Sequence, residues 1–185
     1  NSRTIGQLFG NGTVSTGGGT LTVSGPFSST FGGAITGSGG LTVAGGVSVF
    51  LSGNNTYTGL TTVDTGVLDL NDNHVIGDSS DVVVNANGVF DLDGFDERVD
   101  SISGDGDILL GGGTLTVDAP SGLFTFNGRI GFSDGGFGTL RKEGAHTLRF
   151  TGGSNPIDLL DINAGQVWID DSIQLGDAVQ LSGGE

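Results

Sequence analysis

The chain repeats itself over a long period. Ile5–Val23 reads IGQLFGNGTVSTGGGTLTV and Val99–Val117 reads VDSISGDGDILLGGGTLTV. The two segments begin about 94 residues apart and both end in GGGTLTV. The correspondence continues with small insertions. Phe31–Ile35 matches Phe126–Ile130, Val49–Gly53 matches Leu148–Gly152, Val63–Gly66 matches Ile162–Gly165, and Ile76–Asp78 matches Leu175–Asp177. The sequence therefore reads as one continuous body over 1–185. It holds a super-repeat of approximately 1–97 and a second, incomplete one of approximately 98–185. Self-similarity at a fixed period marks a repeat architecture, in which each unit is stable only when stacked on its neighbours.

A shorter period is nested inside the long one. Val63–Leu70 is echoed by Val84–Leu92, and Leu41–Val43 by Thr61–Val63, at about 20 residues. Within each unit short apolar–polar alternations end at Gly, Asn or Asp: Thr20–Val23, Ser48–Leu51, Val67–Leu70, Val89–Leu92, Thr114–Val117, Thr147–Phe150 and Gln166–Ile169. That is strand periodicity, and no segment carries a capped helical period. Hairpins would join strands of opposite direction through two-residue turns. Here like strands return after a whole unit, which asks for parallel neighbours. The predicted fold is all-β, a parallel β-solenoid of about 20 residues per coil and about nine coils. Leu21, Val23, Val49, Leu51, Leu68, Leu70, Phe90, Leu92, Leu115, Val117, Leu148, Phe150, Val167 and Ile169 should point inward. Thr22, Phe50, Asp69, Asp91, Thr116, Arg149 and Trp168 should point outward. Lys142 stands where the first copy has inward Val43, so it needs a polar partner or a corner.

Composition agrees. Glycine fills 38 of 185 positions and proline 3, yet the glycines recur at matched places, as corners between strands require. No cysteine is present, which excludes a disulfide framework and thiolate metal sites. The formal charge is −15 with only six basic residues. Such a surface repels phosphate backbones and anionic lipid, arguing against nucleic-acid binding. No apolar run is long enough for a membrane-spanning helix, so direct membrane insertion by this segment is not expected.

Gly39–Val43, Phe50–Val63 and Gly66–Leu70 resemble the autotransporter-associated β-strand repeat, also called the passenger-associated transport repeat. The core Asn55-Thr-Tyr-Thr-Gly59 followed by Thr-Thr-Val63 carries the resemblance most specifically. The second copy departs from it, with Ser154-Asn-Pro-Ile-Asp158 at the corresponding place. The resemblance implies a right-handed β-helical passenger region of a secreted or surface-attached bacterial protein. It implies an extracellular structural segment, extending a fibre or stalk for adhesion or self-association, without catalytic residues. The signature loop around Tyr57 is then an exposed interaction candidate.

The alternative is a glycan-binding or glycan-processing β-helix, which needs carboxylates, an aromatic and a basic residue converging on a groove. Asp91 and Asp93 share one strand face, and coil alignment sets Asp69 beside Asp91, so these three are the metal candidates, with Ca²⁺ the candidate ion. Gly104–Asp107 resembles one step of a calcium-binding roll but lacks tandem recurrence. Trp168, the sole tryptophan, aligns with Arg149 and could form a cation–π pair or a platform for a sugar or a neighbouring chain. His74 lies in a polar turn and His146 opens a strand. Neither is assigned a catalytic role, and no cofactor is called for. The expected partners are neighbouring repeats or chains, with host or surface glycans or proteins as further candidates.

Overall fold

The computed structural model describes residues 1–131, 138–152, 157–170 and 178–181. Ser154–Pro156 and Leu175–Asp177, which entered the repeat comparison, lie outside the described residues. The described residues form strands, turns and bends with no helix, and the strand pairs are all parallel. One path of nine strands runs the length of the stack: Arg3–Ile5, Leu21–Ser24, Leu41–Ala44, Thr61–Leu70, Asp81–Asp91, Ser101–Gly104, Leu123–Phe126, Thr147–Phe150 and Gln166–Ile169. Each lies roughly 20 residues after the last, so Leu21 pairs with Leu41 and Leu41 with Thr61. The fold is a β-solenoid, as the repeat predicts.

Each coil has three strand positions. After the first comes a second, as in Val47–Leu51, the latter part of Thr61–Leu70, and Asp107–Leu109. The third is regular at one end, where Thr13–Gly17 pairs with Ala34–Gly37. It is regular again further along, through Glu97–Val99, Thr114–Val117, Thr139–Lys142, Leu159–Ile162 and Ala178–Leu181. The corners explain the glycines. Gly66 turns Thr61–Leu70 between two strand positions with φ 112°, and a side chain there would meet the Val47 carbonyl oxygen at 2.2 Å. Only glycine satisfies both conditions without strain.

The core is a continuous column of Val, Leu, Ile and Phe from alternate strand positions. Val63 pairs with Val84, Leu68 with Phe90, and Asp69 with Asp91, the predicted register. Leu21 through Phe150 of the predicted inward set are buried. At Gln166–Ile169, Val167 is half-buried and still packs against the core, but the inward expectation fails at Ile169, which is 40% exposed. That strand is the last described in its sheet, so no further described strand of that sheet covers its outer side. Thr116 was expected outside and is buried. It lies in register between Arg98 and Arg141, and long basic side chains of that kind lay their apolar stems over short neighbours.

Lys142 is fully buried and partnered. Its Nζ donates to the carbonyl oxygens of Glu143, Gly144 (2.8 Å) and Ala164 (3.1 Å), tying adjacent coils together at a corner. Burial lowers its amine to about 8.

Candidate functional site

Between Ala34–Gly37 and Glu97–Val99 the third strand position is irregular, and polar side chains take over from the backbone ladder. Asn55 Oδ1 accepts from the Ile35 amide at 2.7 Å, one coil back. Its Nδ2 donates to the carbonyls of Gly53 (2.9 Å) and Val75 (2.8 Å), so one buried amide spans three coils. Glu97, one coil beyond Val75, links two coils. Its Oε2 accepts from the Val75 (2.8 Å) and Ile76 (3.0 Å) amides, and its Oε1 from the Arg98 amide (2.9 Å). Buried amides left unpaired would be costly, and these two side chains satisfy them.

Tyr57 does not present itself to solvent. The expectation that it lies in an exposed loop is corrected: it is fully buried, the largest such side chain among the described residues. Its hydroxyl is 2.7 Å from Thr61 Oγ1, which is 2.8 Å from Ser80 Oγ, which donates to the Gly59 carbonyl at 2.8 Å. Burial pushes its phenol above the usual range. Period-two alternation does govern Asn55–Thr58, with Asn55 and Tyr57 inward and Thr56 and Thr58 exposed. The missed signal was polar groups taking inward positions.

Above this segment lies a cleft of about 460 Å³ lined by Asn54, Thr56, Thr58, His74, Asp78 and Ser79 among others. Glu97, 1% exposed, stands next to it. The ligand atoms of His74, Asp78 and Glu97 all lie within 4.8 Å of one another. His74 has a left-handed backbone, φ 54°. Burial raises the Glu97 carboxyl to about 7, against the pull of the donating amides, and the Asp78 charge adds to the rise. Sequence reading passed over this group because its members come from two coils. The available signal was the coil offset, which sets the Asp96 amide 2.8 Å from Asn73 Oδ1.

The predicted acidic face is assembled more loosely. Asp69 and Asp91 are register partners, and the Asp93 amide donates to Asp91 Oδ1 at 2.9 Å. Asp69 Oδ1 is buried without a hydrogen bond, and its carboxyl is raised to about 6, by burial first and then by the charges of Asp91 and Asp93. The three do not form a group with ligand atoms as close as those of His74, Asp78 and Glu97. In the Gly104–Asp107 turn, Asp105 accepts from Asn127 Nδ2 (2.7 Å) and Asp107 from Arg129 Nε (2.8 Å), so both carboxylates tie coils together.

Arg149 and Trp168 are register partners as expected, and Trp168 is 50% exposed. The guanidinium turns to Asp170, with Nε 2.8 Å from Oδ2. His146 is buried. Its Nδ1 lies 2.9 Å from the Ala119 carbonyl, its ring meets Phe124 edge-on at 5.5 Å, and burial lowers its pKa.

No family profile matches the chain, and no solved structure matches it. It is similar to the protein named Adhesin BmaC autotransporter of Brucella suis biovar 1 (strain 1330), at 39% identity over 98 residues. The match covers 50% of this chain and 3% of that adhesin's length.

Proposed function

We propose that the chain is a rigid segment of a surface-exposed bacterial passenger, holding adhesive surfaces away from the cell rather than turning over a substrate. The observation that carries this reading is the parallel stack of the described strands on a single core, joined to the likeness to an autotransporter adhesin. A solenoid of this kind is mechanically a rod, and its outward rows repeat at the strand spacing of about 4.8 Å. Its acidic surface keeps rods apart at low salt, and screening permits lateral self-association.

The test coats beads with the purified chain and counts their retention on epithelial monolayers and on fibronectin and collagen films. A second arm incubates the chain with a polysaccharide panel and measures new reducing ends. Retention above that of albumin-coated beads, with no cleavage, supports the adhesive-segment reading. Cleavage lost in Asp91→Asn would replace it with the glycan-processing reading. A glycan-binding role finds one specific support, the exposed Trp168 ring beside the Arg149–Asp170 ion pair, an arrangement suited to stacking and hydrogen-bonding a sugar. Loss of glycan retention in Trp168→Ala, with unchanged melting, would assign that face.

A further inference from the structure

We propose that His74, Asp78 and Glu97 form a binding site for a divalent transition-metal ion, with Zn²⁺ as the test ion, at the edge of the cleft beside the Asn55–Thr58 segment. This inference does not depend on the adhesive reading.

Geometry comes first. Three atoms no more than 4.8 Å apart share a point within about 2.8 Å of each. Zinc bonds to imidazole nitrogen and carboxylate oxygen are about 2.0–2.2 Å. His74 and Asp78 are exposed and can close that difference by side-chain rotation. Glu97 is the fixed member. The amides of Val75, Ile76 and Arg98 hold its carboxylate in place, and Oε1, which accepts from the Arg98 amide, keeps a lone pair for an ion. Those amides also act as the outer hydrogen bonds that orient a metal-binding carboxylate.

Charge is the second, independent observation. Glu97 is buried beside a second carboxylate, Asp78, yet none of the ion pairs among the described residues includes either. Arg98, the adjacent basic residue, pairs instead with Asp118 and Glu143. A buried carboxylate facing another without an ion-pair partner is unfavourable, and a bound ion supplies positive charge to both. The long repeat does not require this group, since Ile173 stands at the place matching His74.

The donor set selects the ion. One imidazole and two carboxylates suit Zn²⁺ and its neighbours, whereas Ca²⁺ takes six to eight oxygens. Three protein ligands leave an open position on the cleft side, where a water or an acidic group of a second molecule can complete the shell.

The test titrates the metal-stripped 185-residue chain with Zn²⁺ by calorimetry and with Co²⁺ by visible absorption. The expected result is one equivalent bound, a Co²⁺ band typical of low coordination number, and a melting point raised by Zn²⁺ but not by equal Ca²⁺. His74→Asn, chosen because asparagine tolerates the left-handed backbone, should weaken Zn²⁺ binding by at least about tenfold. Asp78→Asn should do the same, and both variants should melt like the parent without metal. Absence of Zn²⁺ binding, or binding unchanged in both variants, overturns the proposal. Stabilisation by Ca²⁺ alone would overturn it too and point to the Asp69–Asp91–Asp93 face.

Discussion

Leu21 and Leu115 hold the same place in the long sequence repeat but lie in different sheets of the solenoid. Leu21 pairs with Leu41 in the 14-stranded sheet, and Leu115 pairs with Leu140 in the 5-stranded one. The same displacement separates Ile5 from Val99 and Val63 from Ile162. A period of about 94 residues at about 20 per coil is about four and two-thirds coils. Equivalent residues are therefore offset by one strand position around the coil. A strand–corner–strand segment needs only an inward face and a glycine turn, so one sequence serves at any of the three positions. An outward feature written once per super-repeat would then point in successive directions around the rod.

Gly66→Ala tests the corners. The substitution places a Cβ against the Val47 carbonyl in a backbone conformation that alanine avoids. It should cost roughly 1–3 kcal/mol, visible as a melting point lower by several degrees. Gly46→Ala is the control. Its φ is also positive, at 75°, but nothing lies within 4 Å of the added atom. The Gly66 variant should be the less stable of the two, and equal melting points would mean that the carbonyl contact contributes nothing.

Tyr57→Phe tests the buried polar chain. It removes the hydroxyl that meets Thr61 while Thr61 keeps Ser80. The expected cost is about 1 kcal/mol in chemical denaturation. Tyr57→Ala adds a cavity and should cost about 3–5 kcal/mol. Because the ring is fully buried, Tyr57→Phe should leave bead retention unchanged. A large loss of adhesion without a stability change would mean that the segment opens to expose it.

Lys142 makes alkaline pH informative. Its amine titrates near 8 in the folded chain, below the ordinary 10.5. Between those values the unfolded chain binds the extra proton, so the penalty of the buried amine fades as pH rises through that window. Lys142→Met removes this titration, although it leaves the Glu143, Gly144 and Ala164 carbonyls without their donor. The difference between parent and variant stability should therefore grow in the parent's favour from pH 8 to 10.5. A constant difference would show that the amine is unperturbed.

Legibility followed the apolar residues. Leu68, Leu70, Phe90 and Leu92 alternate with aspartates, so the core, the parallel register and the Asp69–Asp91 pairing could all be read by sliding one coil over the next. Polar residues inside the core broke that reading. Asn55, Tyr57 and Glu97 occupy inward positions because the backbone between coils is irregular there and needs side-chain partners. Glu97 shares the inward phase of Val99 in its strand, a position that a charged side chain does not announce. His74, Asp78 and Glu97 come from adjacent coils, so only a register that includes the irregular turns brings them together. Thr116 is buried although it stands in the outward phase between Arg98 and Arg141, so its own phase does not announce its burial.

Asp69 gives the acidic counterpart, and its sign is opposite to that of a paired carboxylate. Its folded pKa of about 6 lies above the ordinary 3.8, because burial disfavours the charged form and Asp91 and Asp93 repel it. Below pH 3.8 both folded and unfolded chains carry the proton and no penalty applies. Between 3.8 and 6 the folded chain binds the proton more tightly, so stability falls as pH rises, and above 6 the full penalty is present. For a partly exposed, solvent-screened group this is on the order of 1 kcal/mol. Asp69→Asn removes the charge at every pH and should stabilise the chain at pH 7.5 but not at pH 3.5. Paired urea melts of parent and variant at the two pH values measure the difference. A variant no more stable than the parent at pH 7.5 would show that water or an ion already satisfies the carboxylate, and a stabilising effect of millimolar Ca²⁺ that vanishes in Asp69→Asn would identify the ion.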